Sequence, residues 1–347
     1  MDRPGRQTMR IALDAMGGDT APETTVAGAI RAARELPIEI ILVGNQPLVE
    51  RQLARYRHRP ANLSLVHAPE TIGMDESPVA SVRKKKESSI NIGIGLLREG
   101  KAEACVSAGN TGATACSAVL NLGLLPGIER PGIAILLPGL RGETLLIDAG
   151  ANIDPKPSHL LQYALMGEAY VRHVLDKPRP TVGLLNVGEE ETKGTDFIKE
   201  TYSLLEASGV NFVGNVEGRA IFMGDYDVIV CDGFVGNVAL KTSESLAYAI
   251  SQTLKRSLGM SPITRLGAWL SRSAFQALRK EIDYDEHGGA QLLGVKGVCI
   301  IAHGASSAKA IKNAIRVGYE SARRDVNRHL IEAVQAQAQG QPKQVVG

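Results

Sequence analysis

The stretch Met9-Arg10-Ile11-Ala12-Leu13-Asp14-Ala15-Met16-Gly17-Gly18-Asp19 begins a strand–turn–helix pattern, and this order of elements recurs along the chain. Its apolar run, Ile11–Leu13, predicts a short buried strand, and the glycines that follow predict a tight turn. A helix is expected from about Pro22 to Arg34, because proline is favoured in the first turn of a helix. The stretch therefore predicts a strand, a turn and a helix in succession.

The same alternation of short apolar runs and helical patterns continues to the end of the chain. The predicted strands are Ile11–Leu13, Ile38–Val43, Leu63–Val66, Ala104–Ser107, Ile133–Leu137, Leu145–Ile147, Val182–Leu185, Asn211–Val213, Val228–Cys231 and Val298–Ala302. The further predicted helices are Pro78–Arg98, Gly112–Leu122, Ser158–Val174, Asp196–Glu206, one from about Val235 and a last one from near Ser306. This rhythm predicts an α/β protein with a mostly parallel sheet and helices on both faces.

Length and composition set broad limits on the class of protein. The chain has 347 residues, of which 44% are hydrophobic and 22% charged, and this is ordinary globular usage. A net charge of +2 argues against a globally basic nucleic-acid binder, and an aromatic content of 4% argues against a base-stacking platform. We expect a leader over residues 1–8, a single α/β domain over 9–334 and a flexible tail over 335–347.

Cysteine usage and hydropathy favour a cytoplasmic protein. The four cysteines are far apart and form no CxxC pair, so neither a zinc site nor a disulfide framework is expected. The first nine residues lack the apolar core of a secretory signal. No uncharged apolar stretch approaches the roughly 20 residues that a membrane-spanning helix needs. Peripheral contact with a membrane is compatible with this pattern.

Five predicted strand-to-helix turns are rich in glycine and small polar residues: Asp14–Asp19, Ser107–Gly112, Asn186–Gly194, Asp232–Asn237 and His303–Ser307. Ligands of doubly wound sheets bind beyond the carboxyl ends of the strands, and glycine-rich turns before helices can bind anions. Taken singly, Asp14–Asp19 could be a plain tight turn, Ser306 or Ser307 could be only a helix N-cap, and His303 could be a turn histidine. Together they predict one anion-binding cleft. Its candidate phosphate or substrate ligands are Asp14, Gly17, Gly18, Asp19, Ser107, Gly109, Asn110, Thr111, Gly112, Asn237, Gly304, Ser306 and Ser307.

Several standard motifs are absent from the sequence. It contains no GxGxxG dinucleotide fingerprint and no GxxxxGK[ST] phosphate loop. It also contains no GxSxG nucleophile elbow and no HExxH metal motif. These absences argue against a standard nucleotide site and against a covalent serine mechanism. No metal or cofactor is therefore expected.

A run of four cations, Arg83-Lys84-Lys85-Lys86, lies within a predicted helix. Such a run is usually a solvated helix face. Four consecutive cations around a helix nevertheless favour contact with an acidic partner. Arg83, Lys85 and Lys86 are the candidates for this contact.

A second basic segment spans residues 245–280, which contain six Lys or Arg residues and no Asp or Glu. It belongs to a predicted helical insertion at about 245–285. After Pro262 a helical pattern places three arginines on one face with the only tryptophan at its edge, and these candidate contacts are Arg265, Trp269, Arg272 and Arg279. A basic amphipathic helix can lie in an anionic bilayer surface. Packing in a helical hairpin or a dimer interface is the alternative, and the two are compatible.

Seven motifs follow one another in a specific order: Met9–Asp19, Pro78–Ser89, Ser107–Gly112, Asp148–Asn152, Asn186–Gly194, Asp232–Asn237 and His303–Ser307. In sequence and order they resemble the PlsX-type acyl-ACP:phosphate acyltransferases of phospholipid synthesis. The resemblance extends from Met9 to about Arg324. That family usually begins at the equivalent of Met9, so residues 1–8 are an addition to its pattern.

The resemblance implies a cytoplasmic, peripherally membrane-associated enzyme. Such an enzyme converts a fatty acyl-ACP and inorganic phosphate into acyl phosphate and free acyl carrier protein (ACP). A membrane glycerol-3-phosphate acyltransferase would consume the product. The resemblance also implies a homodimer, and a fold similar to that of phosphotransacetylases and of isocitrate and isopropylmalate dehydrogenases.

The residues of the turns suggest how such a reaction would proceed. Phosphate can attack the thioester directly, so the site must neutralise phosphate, align it and stabilise the oxyanion. As a hypothesis, Lys193 neutralises phosphate and Asn186 or Asn237 donates to the oxyanion. His303 or Asp232 would transfer the proton to the leaving sulfur. The alternatives are a CoA-dependent phosphate acetyl- or butyryltransferase, and a membrane-bound scaffold without catalysis.

Overall fold

The computed structural model of the protein describes residues 8–275 and 288–340. Its strands are β1 (Met9–Asp14), β2 (Ile38–Gly44), β3 (Leu63–His67), β4 (Ala104–Ser107), β5 (Gly132–Pro138), β6 (Glu143–Ile147), β7 (Val182–Leu185), β8 (Phe212–Val216), β9 (Val228–Val230), β10 (Ala290–Leu293) and β11 (Val298–Ile301). Its helices are α1 (Glu23–Glu35), α2 (Gln46–Leu53), α3 (Pro78–Lys84), α4 (Ser89–Arg98), α5 (Thr111–Leu122), α6 (Pro157–Val174), α7 (Asp196–Glu206), α8 (Gly233–Gly259), α9 (Pro262–Leu270), α10 (Ala308–Arg323) and α11 (Val326–Ala338), with a 3₁₀ turn at Gly218–Phe222.

In the described part of the chain the strands form one mixed sheet with the order β3-β2-β1-β4-β11-β10-β5-β6-β9-β7-β8. The first five strands of this order run parallel to one another. The last four, β6, β9, β7 and β8, are also mutually parallel. Strand β10 is antiparallel to both of its neighbours, and β5 is antiparallel to β6. The predicted fold class, a mostly parallel sheet covered by helices, is confirmed.

The three antiparallel pairings reverse the strand direction between the two parallel halves. The carboxyl ends of β1, β4 and β11 therefore lie at one edge of the sheet, and those of β6, β7 and β9 lie at the opposite edge. We call Asp14–Asp19, Ser107–Gly112 and His303–Ser307 the first turn group. Asp148–Asn152, Asn186–Gly194 and Asp232–Asn237 form the second turn group. The expected single row of five turns is thus divided between two edges, because the sheet is not parallel throughout.

Each face of the sheet carries its own helical layer. One face packs against α1, α6, α7, α10 and α11 in a hydrophobic cluster that extends across both halves of the sheet. The opposite face has two clusters, one under α3, α4 and α5 and one under the 3₁₀ turn and the start of α8. Leu240 of α8 packs against both of these clusters. The start of α8 therefore lies beside the α3–α5 layer.

The predicted strands are all present, but the helix predicted over Pro78–Arg98 is wrong. Helix α3 ends at Lys84, and α4 begins only at Ser89, after an N-cap at Ser88. The side-chain amide of Asn91 donates to the carbonyl oxygens of Val82 and Lys85 at 2.9 and 2.8 Å. These bonds satisfy the terminal carbonyls of α3 and stabilise the break.

Two further differences concern helix ends. The single helix predicted after Pro262 stops at Leu270, with a turn at Ser271, and residues 272–275 are helical again. Arg265 and Arg272 therefore do not share one continuous helix, and Arg279 lies outside the described residues. Helix α11 continues to Ala338, so residues 335–338, which were predicted to belong to a flexible tail, are helical. Strand β10 was not predicted from the sequence.

The hydropathy prediction agrees with the described helices. In residues 8–275 and 288–340 no helix is both long enough and apolar enough to cross a membrane. The four cysteines are free, and Cys105, Cys231 and Cys299 are buried, as their apolar surroundings in the sequence indicate.

Candidate active site at the second turn group

The register of the sheet aligns the three turns of the second group. Leu184 of β7 pairs with Val230 of β9, and Ile147 of β6 pairs with the same residue. Asn186 and Asp232, two positions beyond Leu184 and Val230, therefore follow neighbouring strands, whose spacing is about 4.8 Å. Asp148 directly follows Ile147. The motifs DAGAN, NVGEEETKG and DGFVGN thus meet at one edge of the sheet.

Asp148 organises the turn after β6. Its side chain is fully buried. Its Oδ1 accepts hydrogen bonds from the backbone amides of Ile133, Gly150 and Ala151 at 2.9, 3.0 and 2.8 Å. Its Oδ2 accepts from the amide of Asn152 at 2.7 Å. Burial raises the pKa of the carboxyl group, and these four bonds oppose the rise. Asp148 was not among the candidate residues, although its motif carried the family resemblance.

The turn after β6 also fixes the start of α8. The amide of Gly233 donates to the carbonyl oxygen of Asn152 at 2.8 Å. A Cβ atom on Gly233 would lie 2.6 Å from Oδ2 of Asp148, and one on Gly236 would overlap the Asp148 carbonyl oxygen. Both positions therefore require glycine. The result is a helix N-terminus held rigidly against a buried aspartate.

Asp232 and Asn237 lie at this helix start in different roles. Asp232 is the N-cap of α8, since its Oδ1 accepts from the amide of Val235 at 2.9 Å. Asn237 is half-buried. Its side chain lies 3.4 Å from the Cβ position of Gly150. Within the described ranges its amide group has no protein hydrogen-bond partner. Asn237 is therefore available to a ligand, whereas Asp232 shapes the helix.

The turn after β7 folds back on itself through Asn186. The side-chain amide of Asn186 donates to the carbonyl oxygen of Lys193 at 3.1 Å, and its Oδ1 accepts from the amide of Val187 at 2.8 Å. Gly194 has a φ of +89°, and a Cβ there would lie 2.6 Å from Asn186 Oδ1. Asn186 thus holds the backbone of Lys193, rather than presenting a free amide.

Lys193 itself is exposed. Two of the three acidic residues of its turn bind other groups: Glu189 pairs with Arg219 at 3.0 Å, and Glu191 accepts from the Tyr202 hydroxyl at 3.1 Å. Glu190 is exposed. In the part of the chain that the structure describes, the Lys193 ammonium group has no ion-pair partner. A free cation and a free amide therefore lie at the same sheet edge as the N-terminus of α8. This combination suits an anionic ligand.

The first turn group is packed more tightly, and most of its polar groups form hydrogen bonds with one another. Asp14 and Ser107 are buried, and the Ser107 hydroxyl donates to Asp14 Oδ2 at 2.7 Å. Burial raises the pKa of Asp14, and hydrogen bonds from neighbouring serines and amides oppose it. A Cβ on Gly17 would lie 2.5 Å from the amide nitrogen of Gly109. These residues join the turns after β1 and β4.

Asn110 is the N-cap of α5 and holds a neighbouring loop. Its side-chain amide donates to the carbonyl oxygens of Gly73, Met74 and Glu76, and its Oδ1 accepts from the amide of Ala113 at 3.0 Å. Both polar atoms of its side chain thus have protein partners. Thr111 and Gly112, the next two residues, are exposed at the start of α5.

The third turn of the first group contains His303 and the start of α10. The carbonyl oxygen of Gly304 accepts from the amide of Asp19 at 2.8 Å, and this bond joins the turn after β11 to the turn after β1. In the turn after β1, Gly18 has a φ of +106°. Ser307 is the N-cap of α10, as one of the two serines was expected to be. Ser306, the residue before it, donates its amide to the carbonyl oxygen of His303 at 2.9 Å.

The structure does not bring His303 together with the other three candidate catalytic residues. Its Nε2 lies 4.0 Å from a carboxylate oxygen of Glu244 in α8. Glu244 is twelve residues along α8 from Asp232, which corresponds to about 18 Å at 1.5 Å per residue. Lys193, Asn186 and Asp232 share the second turn group, and His303 lies at the opposite edge of the sheet.

The basic residues also have different surroundings. Lys85 is not free: its ammonium group donates to Glu76 at 2.5 Å and to the carbonyl oxygen of Thr71 at 2.7 Å. Arg83 and Lys86 are exposed. In α9 no residue is buried, so the apolar side chains of Ile263, Leu266 and Leu270 are uncovered in the described residues.

The structure defines an α/β protein with a mostly parallel mixed sheet covered by helices. The chain is similar in fold to a phosphotransacetylase from Streptococcus pyogenes, with a TM-score of 0.59 and 20% identity over 95% of this chain and 94% of that one.

Sequence comparison then identifies the family. The model of the family described as "Fatty acid synthesis protein" matches residues 9–329. The chain is 50% identical to the phosphate acyltransferase of Geotalea daltonii, over 94% of each chain. It is also 50% identical to the phosphate acyltransferase of Heliobacterium modesticaldum, over 97% of this chain and 100% of that one. The chain belongs to this family of acyltransferases, and the resemblance predicted from its motifs is confirmed.

Proposed function

We propose that the protein transfers a fatty acyl group from acyl-ACP to inorganic phosphate, which gives acyl phosphate and free ACP for phospholipid synthesis. The family and the names of its relatives support acyl transfer to phosphate. The ACP donor is favoured by the full set of motifs in the sequence.

One observation carries the phosphate part of the proposal. Lys193 and Asn237, both without a protein partner in the described residues, lie at the same sheet edge as the N-terminus of α8. An ammonium group, an amide and the partial positive charge of a helix start together favour a dianion. The second turn group is therefore the proposed phosphate site, and Asp148 and Asn186 are its positioning residues. The first turn group joins neighbouring strands and is assigned no ligand.

The proposed reaction is a direct displacement at the thioester carbonyl. A phosphate oxygen forms a bond to the carbonyl carbon, the carbon–sulfur bond breaks, and the thiolate leaves with its electron pair. A thiol with a pKa of about 8.5 is a fair leaving group. The proton of hydrogen phosphate passes to the thiolate, and Asp232, at the N-terminus of α8, is the candidate of the second turn group to transfer it. Asn237 donates to the oxyanion that develops on the carbonyl.

Helices α8 and α9 support a further part of the proposal, peripheral contact with an anionic membrane. Residues 245–275 carry Lys255, Arg256, Arg265 and Arg272 without an acidic residue. Apolar side chains project beside them, and Leu266 and Trp269 are 58% and 67% exposed. This surface suits a bilayer interface or a homodimer, and the two are compatible. A product delivered there would reach a membrane glycerol-3-phosphate acyltransferase.

The experiment that tests the proposal uses purified protein and palmitoyl-ACP, with phosphate titrated and free thiol measured. Phosphate-dependent thiol release from palmitoyl-ACP, without release from palmitoyl-CoA, supports the proposal. Release from a CoA thioester alone identifies a CoA-dependent phosphate acyltransferase instead. A folded protein that binds vesicles but releases no thiol from either donor contradicts the proposal and favours a scaffold.

A further inference from the structure

Helices α3 and α5 form a continuous exposed surface with both apolar and basic side chains. On α3 the exposed residues are Val79, Ala80, Arg83 and Lys84, and Val79 is 50% exposed. On α5 Leu120 is 52% exposed. The two helices are in close contact, since a Cβ on Gly112 would lie 2.7 Å from Pro78. We call these five exposed residues, with Lys86 just beyond α3, the α3–α5 surface.

The charge of this surface is positive. Helix α5 has no charged residue, and α3 has Arg83 and Lys84 but no acid. The carboxylates nearest in sequence are Glu76, which is paired with Lys85, and the exposed Asp75 and Glu87. Within residues 8–275 and 288–340, Arg83, Lys84 and Lys86 have no ion-pair partner. These three cations therefore remain available to an external acidic group.

Internal bonds hold the surface in place. Glu76 accepts from Lys85, from the hydroxyl of Ser81 at 2.8 Å and from the amide of Gly73 at 2.9 Å. The side chain of Asn91 joins the end of α3 to α4 through two carbonyl oxygens. A surface whose backbone is fixed before binding loses less conformational entropy when a partner docks.

We propose that the α3–α5 surface docks the acyl carrier protein, whose acidic helical surface would face Arg83, Lys84 and Lys86 and whose apolar side chains would contact Val79 and Leu120. This inference rests on the proposed function, which supplies the carrier as donor. It is supported by charge complementarity and by position. Ala149 and Ala151, in the turn after β6, belong to the same hydrophobic cluster as α4 and α5. The turn after β6 therefore packs on the same face of the sheet as α4 and α5, and a carrier docked on α3 and α5 would lie on that face.

The test compares the double variant R83E/K84E with the control R31E/R51E, which changes the net charge equally at exposed residues of α1 and α2. Binding of the unacylated carrier is measured together with kcat/KM for acyl-ACP and for a small acyl-pantetheine thioester. We expect R83E/K84E to lose about tenfold or more in carrier affinity and in kcat/KM for acyl-ACP, as close interfacial charges do. The control R31E/R51E should keep the wild-type carrier affinity and kcat/KM. Neither double variant should change the melting temperature.

Three results would overturn the inference. Unchanged carrier binding by R83E/K84E places the docking site elsewhere. Reduced binding to anionic vesicles with normal carrier binding assigns the surface to a membrane, and an altered oligomeric state assigns it to a second copy. A failure of the proposed function can be distinguished from these results, because wild-type protein would then release no thiol from acyl-ACP with phosphate.

The variant Leu120→Ala, which leaves all charges in place, tests the apolar contact and is expected to weaken carrier binding as well.

Discussion

The backbone amide of Gly233 donates a hydrogen bond to the carbonyl oxygen of Asn152 at 2.8 Å. This bond joins the turn after β6 to the first turn of α8. Because Asp148 holds the amide of Asn152 from the other side, a buried carboxylate and a helix N-terminus become parts of one rigid unit. The position of Asn237, one turn into α8, depends on that unit.

The first prediction tests this dependence with two glycines of the same helix. In Gly236→Ala the new methyl group would overlap the carbonyl oxygen of Asp148, so α8 must shift. We expect a loss of about 1–3 kcal/mol in the free energy of unfolding and a large loss of turnover. The control Gly259→Ala, whose methyl group meets no atom within 4 Å, should retain both. Denaturant unfolding and thiol release measure the two effects. Full activity of Gly236→Ala would contradict the rigid unit.

The second prediction concerns phosphate. Removing the Lys193 ammonium group removes a charge-assisted hydrogen bond, so Lys193→Ala should raise the KM for phosphate about tenfold or more. The KM for acyl-ACP should change little. Lys199→Ala removes an equally exposed lysine from the neighbouring helix α7 and serves as the control. If both variants keep the wild-type phosphate dependence, Lys193 is not part of the site.

The main elements of the fold could be predicted from the sequence because short apolar runs alternate regularly with helical patterns. The strand Ile11–Leu13 and the helix over Asp196–Glu206 are recognisable from local pattern alone. Whether neighbouring strands are parallel or antiparallel is not determined by the local pattern of either strand. Strand β10, which was not predicted, is antiparallel to both neighbours and leaves β11 and β5 parallel to each other. The antiparallel pair of β5 and β6 reverses the second half of the sheet, and neither strand's apolar run indicates that direction, so the five turns were expected at one edge.

Prediction of the candidate site from the sequence meets a similar limit. The structure places Asn186, Lys193 and Asp232 in neighbouring turns, and it places His303, expected in the same cleft, at the opposite edge of the sheet. Motif position could not distinguish a polar side chain that binds a ligand from one that binds the protein itself. Asn110 and Asn237 look equivalent in sequence, yet the first has hydrogen bonds to three carbonyl groups and the second has none in the described residues.

The third prediction concerns acid stability and Glu76. Its hydrogen bond from Lys85, together with those from the Gly73 amide and the Ser81 hydroxyl, lowers the pKa of Glu76 from 4.5 to about 2. A lowered pKa means that the ionised group stabilises the folded state above its ordinary pKa, and that this contribution disappears as the pH falls to about 2. Glu76→Gln should therefore be less stable than wild type at neutral pH, and the difference should shrink below pH 4.5. Denaturant unfolding across this range measures it.

The control for the third prediction is Glu39→Gln, which changes an exposed carboxylate on β2. Its stability relative to wild type should change little between neutral and acid pH. A difference between Glu76→Gln and wild type that stays constant down to about pH 2 would show that the interaction of Glu76 with Lys85 is not the source of the acid sensitivity.

The last prediction uses the only tryptophan of the chain as a probe of membrane contact. Trp269 is 67% exposed on α9, so its emission should shift to shorter wavelength when anionic vesicles bury the indole ring. Leu266→Glu places a negative charge beside it and should abolish the shift. The matched control is Leu48→Glu, on α2, which should leave the emission shift unchanged. An equal shift with zwitterionic vesicles would show that the arginines contribute nothing, and no shift in the wild type would assign the apolar side of α9 to another contact.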